Sequence, residues 1–294
     1  MAGTVDYVRV TLEKSYALVK ARADRIFIDL LKLSAGQTLA GFTGLILIAG
    51  LAVVLLGASL TDIARTGTLP QSILANAAIA ALLIGPVFAM AMLIANAIQS
   101  VGFNVIHNSS AGKPTDLVGQ ARKNFWPVVK LNVLTWAAML LLLVPILVSV
   151  PLGGMLNGIA GAAPLCILTV LSAIALVLFV FFTQFSTAEV VLGGKGPIAA
   201  MKASASLVKE NLLGVIIIDV LLGVLAMAFS VVSGTLQKVL ELILQTFSEG
   251  GTAGLAVGFA IYICGIVVVS VIIGAITQTV LLPIIYNFWN GKKG

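Results

Sequence analysis

Residues 165–182 read LCILTVLSAIALVLFVFF, eighteen residues with no charge and only two hydroxyl side chains, Thr169 and Ser172. A helix rises about 1.5 Å per residue, so roughly twenty such residues cross the ~30 Å hydrocarbon core of a bilayer. The run does not alternate polar and apolar residues, as a barrel strand does. Lipid offers nothing to pair with free backbone groups, so a stretch like this spans as a helix, which pairs them internally.

Five other stretches follow the same pattern, and the spans predicted are 37–60, 72–101, 126–150, 163–191, 212–233 and 255–288. The whole chain agrees with them. Of its 294 residues 60% are hydrophobic and 10% charged, with a mean hydropathy of +1.14. A water-soluble domain keeps about a quarter of its residues charged and could not cover so apolar a chain. The fold expected is all-α and integral to a membrane: one polytopic domain over 1–294, with six transmembrane helices. Residues 1–35 hold six basic and four acidic side chains and lack the apolar core and small-residue site of a signal peptide.

The charges set an orientation. The net charge is +6, and fifteen of the seventeen Lys and Arg residues fall on one side of the predicted spans. They lie in the N-terminal segment (Arg9 to Lys32), in 113–130, in 195–209 and at Lys292 and Lys293. Arg65 and Lys238 alone fall on the other. Basic loops stay inside, so both termini are expected in the cytoplasm and the chain in the cell membrane. The basic balance is a topology signal, and no nucleic-acid partner is expected from it.

The segments leading into the odd spans have helical periodicity of their own. Val8, Leu12, Tyr16, Val19, Ala23, Ile26 and Leu30 form one stripe, with Arg9, Glu13, Lys20, Asp24 and Arg25 opposite. Such a helix suits a membrane interface or packs on the other spans. Pro197 opens a similar one with Ile198, Met201, Ala205, Val208 and Leu212 as its stripe, and another follows Pro114. Gln237 to Phe247 reads as a short helix on the opposite side.

These lead-in segments belong to an internal repeat. Ile26-Phe-Ile-Asp29-Leu-Leu aligns with Val129-Lys-Leu-Asn132-Val-Leu and Ile216-Ile-Ile-Asp219-Val-Leu. The polar positions are spaced by 103 and 87 residues, with a basic residue nine positions before Asp29 and ten before Asn132 and Asp219. Gly112-Lys113, Gly194-Lys195 and Gly291-Lys292 follow the even spans, each with a glutamine upstream: Gln99, Gln184 and Gln278. The units run approximately over 8–113, 114–195 and 196–292. Two spans in each make the repeats parallel, so a pseudo-threefold bundle is expected.

Asp219, Asn132 and Asp29 are the candidate polar pathway or binding residues. A carboxylate seven residues into a span faces a cavity or a partner, because lipid charges heavily for exposing it. A structural contact between spans is the other reading of Asp219. Glu189 reads as an interfacial carboxylate near Lys195, and Lys130 as a residue that snorkels to the headgroups. His107 is the single histidine and has no companions of metal-ligand spacing. Cys166 and Cys264 read as buried free thiols. Gly254 and Gly258 form a GxxxG packing pair, as do Gly154 and Gly158 in a loop. No hydrolase or phosphate-loop pattern occurs, so no catalytic residue, metal or cofactor is expected.

The run Gly194-Lys-Gly-Pro-Ile-Ala-Ala-Met-Lys-Ala-Ser-Ala-Ser-Leu-Val-Lys-Glu-Asn211 resembles the segment before an odd span in six-helix proteins of the glycerophosphoryl diester phosphodiesterase membrane-domain type and related families. The resemblance implies a helical membrane bundle and no catalytic residue, because no soluble phosphodiesterase domain accompanies it. The function expected is non-enzymatic: binding or transport of a small solute, ion or lipid. The alternative is an accessory module that organises lipids or partner proteins, or a homo-oligomer, through its basic amphipathic helices.

Overall fold

The computed structural model describes the backbone of residues 2–66, 72–155, 159–248 and 251–291, and the side chains of 4–53, 83–148, 165–247 and 257–291. Its helices are α1 (Ala2–Thr66), α2 (Ser72–Ser110), α3 (Leu117–Met155), α4 (Ile159–Thr183), α5 (Ser186–Val191), α6 (Pro197–Glu210), α7 (Leu212–Ser248) and α8 (Gly251–Gly291). No strand occurs among the described residues. Six helices are long and apolar enough to cross a membrane, one of them α4 run on into α5. Lys292, Lys293, Gly158 and the side chains of Arg65, Gly154 and Gly254 lie outside the described residues.

Helices extend further than the sequence pattern predicts. No Gly or Pro interrupts residues 4–35, and α1 carries its amphipathic start and its span as two helices joined end to end at a kink. It bends only at Arg22, with φ −138° and ψ 21°. In α3 the lead-in is continuous with the span as well; Asp116 caps it, accepting the Gly119 N–H at 3.0 Å. α6, with Pro197 at its first position, stands as a separate lead-in helix, as does the part of α1 before Arg22. The helix predicted over 237–247 is the last part of α7. With 37 and 41 residues, α7 and α8 are about 55–60 Å long.

Contacts run α1–α2, α2–α3, α3–α4, α4–α6, α6–α7, α7–α8 and α8–α1, closing a ring that α2 and α8 bridge. The core occupies one end of it. Ile26, Leu30, Val101, Ile106, Val128, Val208, Val215 and Phe288 are all essentially inaccessible there. We call this the basic end; Tyr7 donates to the Phe288 carbonyl at 2.7 Å, so the two ends of the chain meet in it. Away from it the helices touch mostly in pairs. Gly44 lies against Ala91, and Gly258 and Gly265 lie against Phe247 and Leu240. Their outward faces are apolar and bare: Leu141 is 73% exposed and Met227 71%. Water would not tolerate that area of exposed apolar surface; lipid does. Cys166 and Cys264 lie on these exposed faces rather than in the core, because each points out of a helix that buries little of itself.

The amphipathic stripes pack inward, at a rotated angle. Val8, Ile26 and Leu30 are buried, but so are Thr11 and Ser15, while Tyr16 is 69% exposed. On α6 the buried face is Ala200, Ser204, Leu207 and Val208, and Ile198 is 61% exposed. Hydrogen bonds account for the rotation. Ser15 Oγ shares its one proton between the Thr11 carbonyl at 2.7 Å and the Pro283 carbonyl at 3.1 Å, and accepts from Asn287 Nδ2 at 3.0 Å.

Four consecutive residues at the end of α8 hold the basic end together. The Tyr286 hydroxyl pairs with His107 Nδ1 of α2 at 3.0 Å. Asn287 reaches α1 through Ser15. Phe288 stacks on Phe185, before α5, and meets Tyr7 of α1 edge-on. Trp289 Nε1 donates to Glu189 of α5 at 2.9 Å.

Phe288→Ala is therefore expected to lower stability by about 3–5 kcal/mol, the range for emptying a buried aromatic site. Leu141→Ala, on a bare face, is expected to cost well under 1 kcal/mol. Thermal unfolding in detergent micelles followed by circular dichroism measures both.

Candidate functional site

A half-open polar cavity lies at the basic end. It measures about 290 Å³, and its polar lining is Asn96, Gln99, Ser100, Asn132, Gln184 and Thr187. Phe103, Val128, Leu282 and Ile285 complete the wall. The lining comes from α2, α3, the turn between α4 and α5, α5 and α8. Asn96, Gln99, Ser100 and Phe103 follow i, i+3, i+4, i+7 spacing, so α2 presents them as one stripe.

Gln184 reaches the cavity because the helix breaks beneath it. Between Thr183 and Ser186 the α4 hydrogen bonding stops and α5 begins. Ser204 of α6, fully buried, occupies the break. Its hydroxyl donates to the Phe182 carbonyl at 2.7 Å and accepts the Phe185 N–H at 3.1 Å. Two backbone groups freed by the break are thus satisfied by one side chain, as burial demands. This hydroxyl is the reason α6 turns Ser204 inward in place of a larger apolar residue.

The three sequence-predicted residues have different fates. Asn132 lines the cavity, and its Nδ2 is buried with no hydrogen-bond partner among the described residues. Asp219 is one bond away: Gln184 Nε2 donates to its Oδ2 at 3.2 Å. Asp29 does not join them; its carboxylate pairs with Lys32 at 3.8 Å. The glutamine of the last even span, Gln278, instead donates to Gln37 at 3.3 Å. The sequence pattern does not mark Asn96, Gln99, Ser100, Gln184 and Thr187 as site residues. The signal was present in the spacing of the amides and hydroxyls near the ends of the even spans.

Beside the cavity stands a buried carboxylate. Glu189 is 1% exposed; Trp289 donates to Oε1 at 2.9 Å and Lys195 Nζ lies 3.0 Å from Oε2. The sequence reading of Glu189 near Lys195 is met in the pairing, while the burial is deeper than an interfacial position implies. The loop from α5 to α6 makes the pairing possible. Gly194 adopts φ +62°, and Lys195 N–H donates back to the Glu189 carbonyl at 3.2 Å. Gly112 does the same for α2 with φ +74°, where Gly112 and Lys113 donate to the Ser109 and Asn108 carbonyls. A side chain at Gly193 would come within 2.5 Å of the Glu189 carbonyl oxygen.

Among the described residues, no cluster of three or more His, Cys, Asp or Glu side chains forms a metal site. His107 serves Tyr286, edge-on to its ring. No protein-family model, curated protein or solved structure matches the chain.

Lys195→Met strands a buried carboxylate and is expected to cost about 2 kcal/mol, less than a fully buried pair because the lysine is 40% exposed. Adding Glu189→Gln is expected to recover most of that loss. A thermal melt of the single and double variants checks the coupling; a double variant less stable than Lys195→Met would break it.

Proposed function

We propose that the chain is a non-enzymatic, multi-pass protein of the cell membrane that binds a small, neutral, polar solute in the cavity at its basic end. The single observation behind this reading is the lining: six amide and hydroxyl side chains and no ionised group, in about 290 Å³. Amides and hydroxyls both donate and accept, so they suit a solute with several such groups and no net charge. The unpartnered Nδ2 of Asn132 is a donor held ready for one. Asp219 orients Gln184 from behind and need not touch the solute.

The orientation that places the basic end in the cytoplasm rests on the asymmetry of Lys and Arg. The three parallel two-span units supply the cavity in this reading. Gln184 lies against Asp219 of the next unit, Gln278 against Gln37 of the first, and Gln99 shares the cavity with Asn132 of the second. The left-handed Gly112 and Gly194 support equivalent exits in two units. The likeness to the phosphodiesterase membrane-domain type belongs to the same proposal. Transport follows if the units rock about the cavity.

An Asn132→Leu variant is expected to abolish solute binding without unfolding the bundle, since the amide nitrogen it removes leaves no partner stranded. Thermal-shift measurements against sugars, polyols, amides and amino acids check it. At least one solute is expected to raise the wild-type midpoint and leave that of the variant unchanged. A panel that shifts neither protein, or both alike, counts against the cavity as a binding site.

A further inference from the structure

A second cleft, separate from the polar cavity, lies between the start of α3 and the loop from α5 to α6. It measures about 560 Å³. Lys123, Asn124, Trp126 and Lys130 form one wall; Lys195 and Gly196 belong to the other. Three ammonium groups therefore border one opening. Lys195 is engaged with Glu189 at 3.0 Å. Lys123 and Lys130 make no ion pair among the described residues, and both are exposed.

Two further features give the cleft a floor made for an anion. The 14-residue α6 begins here: Gly196 is its N-cap, no side chain caps it, and Pro197 takes the first position. Pro197 has no N–H and the Ala200 N–H donates to the Gly196 carbonyl at 2.8 Å, which leaves the Ile198 and Ala199 N–H groups at the positive dipole end. Asn124, which also lines the cleft, is 4% exposed, and its Nδ2 has no hydrogen-bond partner among the described residues. A buried amide donor without an acceptor is costly, so an acceptor placed against it is favoured. Trp126, 65% exposed beside the lysines, is the kind of side chain that sits at headgroup level in a bilayer.

We propose that this cleft binds a phosphate-bearing anion, with Lys123 and Lys130 supplying charge, Asn124 and the α6 N-terminus supplying directed donors, and Lys195 completing the ring. Two lysines without counter-ions, one orphaned amide and an uncapped helix start all meet one group that has several anionic oxygens. The phosphate of an anionic lipid headgroup and free inorganic phosphate both carry that chemistry. The site is independent of the solute cavity and of what the cavity binds.

Native mass spectrometry of the full chain in detergent tests it, with phosphatidylglycerol and phosphatidylcholine of identical chains as probes. A melting series with inorganic phosphate accompanies it. Lys123→Ala/Lys130→Ala is expected to weaken phosphatidylglycerol binding at least about tenfold, with phosphatidylcholine binding unchanged. Lys202→Ala/Lys209→Ala removes equal charge outside the cleft and is expected to change it less than about twofold. If the alanine variant loses its fold, Lys123→Gln/Lys130→Gln carries the same test with the stems kept. Preference for phosphatidylglycerol without a phosphate effect identifies the headgroup as the source. Stabilisation by phosphate alone, lost in the Lys123/Lys130 variant, identifies the free anion. Equal binding of the two lipids with no phosphate effect overturns the site, and so does an equal loss in both double variants.

Discussion

A carboxylate with 1% of its surface exposed cannot stand alone, and Glu189 is such a group. Its two oxygens are met from opposite sides, by the Trp289 indole at 2.9 Å and the Lys195 ammonium at 3.0 Å. Each partner brings a distant part of the chain with it. Trp289 fixes the end of α8, and with it the neighbouring contacts of Tyr286, Asn287 and Phe288 to α2, α1 and the α4–α5 turn. Lys195 fixes the loop that starts α6. Losing either partner would strand the carboxylate in the buried end of the bundle, and the lipid-facing lengths offer little packing to replace it.

The same constraint shapes both clefts. α5 is only six residues long, and it exists because the chain breaks after Thr183 and restarts at Ser186. Ser204 makes the break affordable by satisfying Phe182 and Phe185. The break frees Gln184 to enter the neutral cavity and hold Asp219. At the other end of α5, the left-handed Gly194 turns the chain so that Lys195 reaches Glu189 and α6 starts beside Lys123 and Lys130. One short helix thus separates a site with no ionised lining from one ringed by lysines.

Much of this architecture was legible in the sequence, because lipid imposes a simple rule. Long apolar runs such as 165–182 become helices, and six helices long and apolar enough to cross a membrane are present. Gly112 and Gly194, each following an even span, both take the left-handed conformation that glycine accepts most readily. Helix ends inside α1 and α3 were less legible: α1 kinks at Arg22 with no Gly or Pro to mark it, and α3 runs unbroken through Pro127, at the predicted start of its span. The rotated faces of α1 and α6 depend on Ser15 and Ser204, and a hydrophobic stripe does not register a buried hydroxyl. Of the candidate polar residues, Asn132 and Asp219 come together through Gln184, but Asp29 stays with Lys32. Sequence placed the three at matching positions; which ones meet was decided by the turn that only the α4–α5 break creates.

The account stands or falls on whether the cavity around Asn132 is wet. Thiols react with charged methanethiosulfonates only where water reaches them and they can ionise. Asn132→Cys and Leu141→Cys, each in a Cys166→Ser/Cys264→Ser background, give two reporters with opposite expectations. Leu141 is far more exposed than Asn132 in the fold but lies on a bare apolar face. With a membrane-impermeant reagent applied to vesicles from the side of the basic end, Asn132→Cys is expected to react at least about tenfold faster than Leu141→Cys. Equal, negligible rates at both positions would mean a dry centre, and the solute-binding account would be wrong.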